Sequence, residues 1–452
     1  MDRAKQLGEE RIGRLLLKFS IPAIVGMIVN ALYNIVDRIF VGQGVGSLAI
    51  SGIAITFPIT TVIMAFGMLV GIGSTALVSI RLGQQRRDEA EKIVANALIL
   101  LVIISLILTV FGLLYKRPIL RSFGAGEAVI KYADDYITII LLGVIFQNVG
   151  FGMNNLIRAD ANPKTAMFTM LIGAIANTIL DPIFIFVFHQ GIKGAAIATI
   201  ISQALSAAWV LLYFFGKRSM LKIHRKNLYL KKRIILSIFS IGISPFSMQL
   251  AASVVTIILN RSLAKYGGDI SIAAMGIINS VSMLILMPIF GINQGAQPII
   301  GYNYGAQKYD RVKKTLKLAI IAATSICIVG FIIVELFPVS IISIFNRTDN
   351  ELIKIGSNGI RIFLAMLPII GFQIVSSNYF QAVGKPKHSM FLSLSRQVII
   401  LIPLLLILPR IFKLKGVWLA GPSADFLSSL ITAIFLYVEI RNLNHIQKNG
   451  AH

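Results

Sequence analysis

The chain has one cysteine, Cys327, so neither an internal disulfide nor a thiolate metal cluster can be built from it. Histidine is scarce too: His189, His224, His388, His445 and His452 are the five, and none pair at metal-ligand spacing. Charged residues make up 14% of the chain, against about 25% in an ordinary soluble domain. Acids are the scarcest of them, 19 against 43 Lys and Arg. No G-x-x-x-x-G-K-S/T stretch occurs, which excludes a P-loop and leaves ATP-driven pumping by this chain without support. Asp134-Asp135 does not extend to a DDxxD motif, so a prenyl-transfer site is unsupported as well.

What fills the chain is apolar, at 56% hydrophobic residues and a mean hydropathy of +0.80. A soluble domain of 452 residues could not hide that surface, so the solvent for most of it is a bilayer. Runs of about 20 apolar residues are transmembrane helices. Twelve are present, with cores near 15–41, 50–80, 93–115, 129–157, 165–188, 194–215, 234–260, 271–300, 315–338, 353–382, 389–409 and 416–438. The start, Met1 to Gly13, shows no cleavable signal pattern. The net charge of +24 does not point to nucleic acid, because the basic residues sit in short loops between apolar runs. Arg81, Arg86, Arg87 and Lys92 follow the second run, and Lys308, Arg311, Lys313, Lys314 and Lys317 follow the eighth. The stretch 217–233 carries eight basic residues and no acid. Both termini are therefore expected on the cytoplasmic side of a multi-pass plasma (inner) membrane protein, with Arg410, Lys413 and Lys415 as a modest violation.

The chain is also written twice. At an offset of about 223 residues Pro22 falls on Pro245, Gly67-x-x-x-Gly71 on Gly291-x-x-x-Gly295, Leu82-Gly83 on Tyr304-Gly305, and Pro163-Lys164 on Pro386-Lys387. A long-period duplication in an apolar chain is the mark of a two-lobed transporter. The expected fold is all-α and integral to the membrane: twelve transmembrane helices in two six-helix bundles related by a pseudo-twofold axis. An N-lobe spans 1–216, a basic cytoplasmic linker 217–233, and a C-lobe 234–452. The paired glycine motifs argue for close helix packing, at the seam where the halves move.

The copies differ in their acids. Asp37 is matched by Asn260 and Asp181 by Leu404. A carboxylate inside a span is costly and a functional candidate by default. Asn177 lies one turn before Asp181, Thr199 is on the returning helix, Asn154 and Asn155 are on the fourth, and Asn30, Asn34 and Asp37 share one stripe of the first. Carboxylates with amide and hydroxyl oxygens suit either a proton or Na⁺ as coupling ion; no other cofactor or metal is implied. The same polar groups also serve as interhelical glue. Asp37 has neighbouring Arg38 as a possible interface partner, and Asp181 could cap backbone freed by Pro182. Asn30, Asn34, Phe57, Met64, Met283 and Met287 could line a permissive substrate cavity, or simply pack. Asp425, opposite Gln203 in the repeat, reads as a hydrogen-bonded packing position.

The order of Pro22, Asp37-Arg38-Ile39-Phe40-Val41-Gly42, Leu82-Gly83-Gln84, Arg158-Ala159-Asp160-Ala161-Asn162-Pro163-Lys164 and Asn177-x-x-x-Asp181-Pro182 resembles the MATE family of multidrug and toxin extruders over nearly the whole chain. The family's NorM-like branch also has C-lobe acids on helices 7 and 10, where this chain has Asn260, Gln373, Asn378 and Gln381. That departure favours the DinF-like or MepA-like branch. The resemblance implies secondary antiport, not catalysis: a Na⁺ or H⁺ gradient drives export of cationic amphipathic organic compounds. It carries the family's cation site onto Asp37, Asn177, Asp181 and Thr199, with Asn154 as a further candidate. The expected partners are small organic cations and membrane lipids. No surface is marked for a second copy, so a functional monomer is expected. A flippase for a lipid-linked or anionic metabolite is the alternative. It would want cationic side chains in the cavity, for which Arg361 and Arg396 are the midspan candidates.

Overall fold

The computed structural model describes residues 3–123, 126–345, 347 and 349–449, and among them no strand forms. Six long helices build the first half: α1 (Ile12–Gly44), α2 (Ser47–Gly83), α3 (Arg87–Ser122), α4 (two pieces, Glu127–Leu142 and Val144–Ala159), α5 (Pro163–Val187) and α6 (Gly191–Phe215). The α4 pieces meet at 54°. In α5 the α-helix ends at Pro182 and continues as a wider π turn, Ile183–Val187. Proline removes one backbone donor and clashes with the preceding turn, and the widened turn absorbs that conflict.

The second half begins with 74 continuous helical residues, Lys232–Gly305, more than twice what a bilayer needs. The run breaks at Gly268, whose φ of 67° and ψ of −170° are not helical. It is therefore two spans, α7 (232–267) and α8 (269–305). Then come α9 (Tyr309–Leu336) and α10 (Asn350–Phe363 and Leu367–Ala382, bent by 50°). A last continuous stretch, Pro386–Gln447, breaks at Lys413 (φ 52°, ψ −131°) into α11 (386–412) and α12 (from 414). The twelve expected spans are all present, and the left-handed turns repeat with them. Gly46 is matched by Gly268, Gln85 by Gln307, and Ala161 by Gly384, each at positive φ. A duplicated sequence has kept its turn geometry.

Lipid tails are as apolar as leucine, so nothing forces every apolar side chain inward. Leu106, Ile107, Val110 and Leu114 on α3 and Leu212 on α6 are more than half exposed, as a lipid-facing surface would be.

The halves meet at the end that carries both chain termini. There Asn303 Nδ2 and Arg311 donate to the Leu7 carbonyl, while Gln447 contacts Lys313 and Asp310. A Cβ on Gly83 would collide with the Tyr302 carbonyl, and one on Gly305 with the Ile80 carbonyl, a reciprocal contact across the seam. Gly291 and Gly295 of α8 abut Ile24 and Ser20 of α1, also across the seam. Gly67 and Gly71 instead face Asn148 and Gly152 of α4, within the first half. Only the second copy of the glycine motif works between the halves.

The stretch 217–233 is strapped to the first half. Asp160, at the α4–α5 turn, accepts from Tyr213 Oη (2.5 Å), Ser219 Oγ (2.9 Å), Met220 N (3.0 Å) and Leu221 N (3.1 Å). Burial pushes its carboxyl up to about 6 even against these donors. Asn96 Oδ1 accepts from Lys231 N at 2.8 Å. Leu221 and Ile223 are buried, while Lys217, Arg218, Lys222, Arg225 and Lys226 stay exposed.

Candidate functional site

Three helices of the first half bring together four of the candidates. In α5 the i, i+4 spacing puts Asn177 Nδ2 3.2 Å from Asp181 Oδ1, and the same nitrogen lies 3.5 Å from Thr199 Oγ1 on α6. Asp181 is fully buried and Asn177 nearly so. From α1 the carboxyl of Asp37 comes up against that of Asp181, close enough for the two to act on each other electrostatically. An ionised carboxylate only accepts, so two carboxyls in contact need a cation between them. Asp181 Oδ2 and Asn177 Oδ1 are buried and have no donor among the described residues. Orphaned buried acceptors cost about 1–3 kcal/mol each, and a proton or a hard cation would satisfy them. The donor set is oxygen throughout, which fits Na⁺ as well as H⁺.

No backbone N–H reaches Asp181 among the described residues, so it does not cap the chain freed by Pro182. The side chains of Asn34 and Arg38 lie outside the described ones. Asn154 is not part of this group. With its amide oriented to satisfy both ends, it donates to Ala166 O (3.0 Å) and Thr169 Oγ1 (3.2 Å) and accepts from Arg158 Nη1 (3.2 Å). Arg158 in turn donates to Gln294 Oε1 on α8 at 2.6 Å. Asn154 therefore serves a latch between the halves.

Other acids in or beside spans have basic partners. Asp134 pairs with Lys116 (2.9 Å), Asp135 with Lys193 (3.4 Å), Glu335 with Arg361 (3.6 Å) and Asp425 with Arg396 (2.6 Å). The acid-on-acid contact of Asp37 and Asp181 is different in kind. Of the candidate cavity residues, Phe57, Met64 and Met283 are exposed, Asn30 is half-buried, and Met287 is buried.

A family model, MatE, matches the chain twice, over residues 22–183 and 245–407. The chain belongs to the MatE family. Its similarity to the multidrug export protein MepA of Staphylococcus haemolyticus (strain JCSC1435) is 29% identity over 440 residues, 97% of this chain and 96% of that protein. MepA of Staphylococcus aureus (strain N315) is 27% identical over 425 residues, 94% of this chain and 93% of the relative. Among solved structures, that of the MATE multidrug transporter DinF-BH superposes with a TM-score of 0.90 at 41% identity, covering 96% of this MatE chain and 97% of that one. An outward-facing multidrug resistance MATE transporter reaches a TM-score of 0.92 at 24% identity over 97% and 98%, a likeness of fold. These relatives are transporters rather than enzymes, and they bear out the MepA-like and DinF-like branches of MatE.

Sequence reasoning missed two contacts. Arg158 with Gln294 and Arg396 with Asp425 join residues 136 and 29 positions apart. No spacing rule signals either; the isolated midspan arginine at 396 was the only hint.

Proposed function

We propose that the chain is a secondary active antiporter that exports cationic amphipathic organic compounds in exchange for H⁺ or Na⁺, by alternating access between its two lobes. The observation that carries this reading is the Asp37–Asp181 contact with its orphaned acceptor oxygens. Such a group holds one cation readily. A cationic substrate that approaches the same carboxylates is disfavoured while the coupling ion sits there, and the reverse follows by linkage. Asn177 orients Asp181, and Thr199 adds a hydroxyl oxygen beside it.

The multidrug export function of the MepA relatives supports the substrate class. Exposed Phe57, Met64 and Met283, with Asn30, would give a substrate cavity between the lobes a soft, adaptable lining. The basic residues crowding the end that carries the termini put that end in the cytoplasm. The closed seam is then cytoplasmic, in the plasma membrane of the cell, and alternating access would open the lobes toward the outside or the seam toward the inside in turn. One chain contains the whole site, so a monomer suffices.

A flippase for a lipid-linked or anionic metabolite is less supported. It asks for unneutralised guanidiniums, whereas Arg361 and Arg396 each have a carboxylate partner. Purified protein in vesicles, given a Na⁺ gradient or a pH gradient separately, tests the reading. Accumulation of an organic cation against one of these gradients is expected. Accumulation that ignores both would end the antiport reading.

A further inference from the structure

The strap between the lobes, residues 217–233, has two faces, and the fold accounts for only one of them. The inner face is fastened. Asp160 accepts from Met220 N and Leu221 N, Glu91 Oε1 from Lys222 N (3.4 Å), and Asn96 Oδ1 from Lys231 N (2.8 Å). Leu221, Ile223 and Asn227 are buried. On the outer face Leu228, Tyr229 and Leu230 follow one another and are 41%, 49% and 42% exposed. The chain is held on both sides of them, by buried Asn227 before and by the bond to Lys231 N after, so the fold itself turns this apolar run outward. A contiguous exposed apolar run marks a surface meant to be covered.

The run is bracketed by charge of one sign. Arg225 and Lys226 precede it, Lys232 and Arg233 follow it, and all four are exposed. The strap contains no acid, and among the described residues no carboxylate pairs with any of the four. Glu91, which reaches the strap, is shared by Arg87 (3.6 Å) and His224 (3.4 Å). The Lys231 ammonium lies 5.0 Å from the centre of the Tyr229 ring, so ring and charges belong to one surface. The neighbours of the strap show what lies against that surface. It joins the last residue of α6, Phe215, to the start of α7 at Lys232. Phe215 is 61% exposed, and Leu236, one turn into α7, is 58% exposed, as lipid-facing positions are. The apolar run sits between them, at the edge of the bilayer. Aliphatic and tyrosine side chains at that level enter the acyl boundary, and Lys and Arg beside them meet phosphates. Four cations without counter-ions favour headgroups of net negative charge over zwitterionic ones.

We propose that the outer face of the strap is a docking surface for anionic phospholipid, with Leu228, Tyr229 and Leu230 in the acyl boundary and Arg225, Lys226, Lys232 and Arg233 on the phosphates. The proposal rests on the membrane reading of the chain and not on its export chemistry. The strap is bonded to α3 and to the α4–α5 turn, both in the first lobe, so that lobe is the one tied to the leaflet. The second lobe begins beyond the dock, at α7, and moves against it when the seam opens.

Tyr229→Trp puts a fluorescent reporter in the run. The full-length protein is placed one chain per nanodisc in phosphatidylcholine, part of which is replaced by either brominated phosphatidylglycerol or brominated phosphatidylcholine with the same chains. Quenching is read as the increment over the protein without the reporter, whose tryptophans are Trp209 and Trp418. The brominated anionic lipid should quench the reporter at least about threefold more strongly than the zwitterionic one, since each basic residue near a charged surface is worth about fivefold in attraction. Adding Arg225→Gln/Lys226→Gln/Lys232→Gln/Arg233→Gln should erase that preference and leave equal, residual quenching by both lipids. High salt, which needs no further variant, should lower the preference in the same direction. Quenching by neither lipid means that water or protein covers the run, and overturns the proposal. So does equal quenching by both before the charges are removed, or a preference that outlasts their removal. A preference abolished by free glycerol 3-phosphate would mark a site for soluble phosphate esters and overturns it as well. Each of these outcomes leaves the export reading standing.

Discussion

Gly83→Ala should drive the two lobes apart at the end that carries the termini. The added methyl would meet the Tyr302 carbonyl and the Ala306 amide of the opposite lobe, all backbone, so no side chain can rotate away to admit it. Overpacking a tight contact costs about 1–3 kcal/mol. Alanine also favours the helix over glycine by about 1 kcal/mol, but α2 is helical whether the seam is open or closed, and that gain cancels. The equilibrium should therefore move toward the seam-open state by roughly 5- to 150-fold. Spin labels at Asp88→Cys and Lys314→Cys, both exposed at this end, would report it as a longer distance population in a Cys327→Ala background. Gly13→Ala is the control, because a methyl there meets nothing within 4 Å. Unchanged distances in Gly83→Ala, or the same shift in Gly13→Ala, would refute the idea that backbone contact at this seam holds the lobes together.

Other perturbations follow from the same geometry. Lys385 donates to both oxygens of the nearly buried Glu439, at 2.7 and 2.5 Å, and Tyr379 Oη adds a third contact at 3.1 Å. Lys385→Met should cost about 3–5 kcal/mol by stranding that carboxylate, and adding Glu439→Gln should recover most of it; thermal melting in detergent reads both. Asp160 is held at about 6 by burial, above its value in an unfolded chain. The folded protein therefore binds this proton more tightly. Its contribution to stability is full below about pH 4, declines as pH rises to about 6, and is flat beyond, a total of about 3 kcal/mol. Asp160→Asn should remove that slope from the melting temperature–pH curve; a curve that keeps it assigns the slope elsewhere.

Much of the fold was legible in the sequence. Long apolar runs mark spans, and the repeat aligns the short basic loops after the second and eighth spans, Leu82-Gly83 on Tyr304-Gly305. The π turn at Ile183–Val187 was not, because Pro182 announces a conflict in the helix but not how it is absorbed. The cation group was half legible. Asn177 and Asp181 follow from helical spacing, whereas the approach of Asp37 depends on how α1 packs against α5. Asn154 was assigned to that group on its place in α4. The structure gives it to Arg158, whose buried guanidinium needs the amide oxygen more than Asp181 needs another neighbour. The glycine motifs match in sequence and diverge in partner, since what a small residue packs against is set by the opposing helix.

The central claim is that substrate and coupling ion compete for the Asp37–Asp181 pair. The most direct measurement is ion release on binding: a cationic dye is titrated into purified protein in weak buffer, with a pH indicator for H⁺ and a selective electrode for Na⁺. About one H⁺ or one Na⁺ should leave per dye bound, and Asp37→Asn/Asp181→Asn, still folded, should release neither. Dye binding with no release from the unmodified protein, or undiminished release from the double variant, would contradict it.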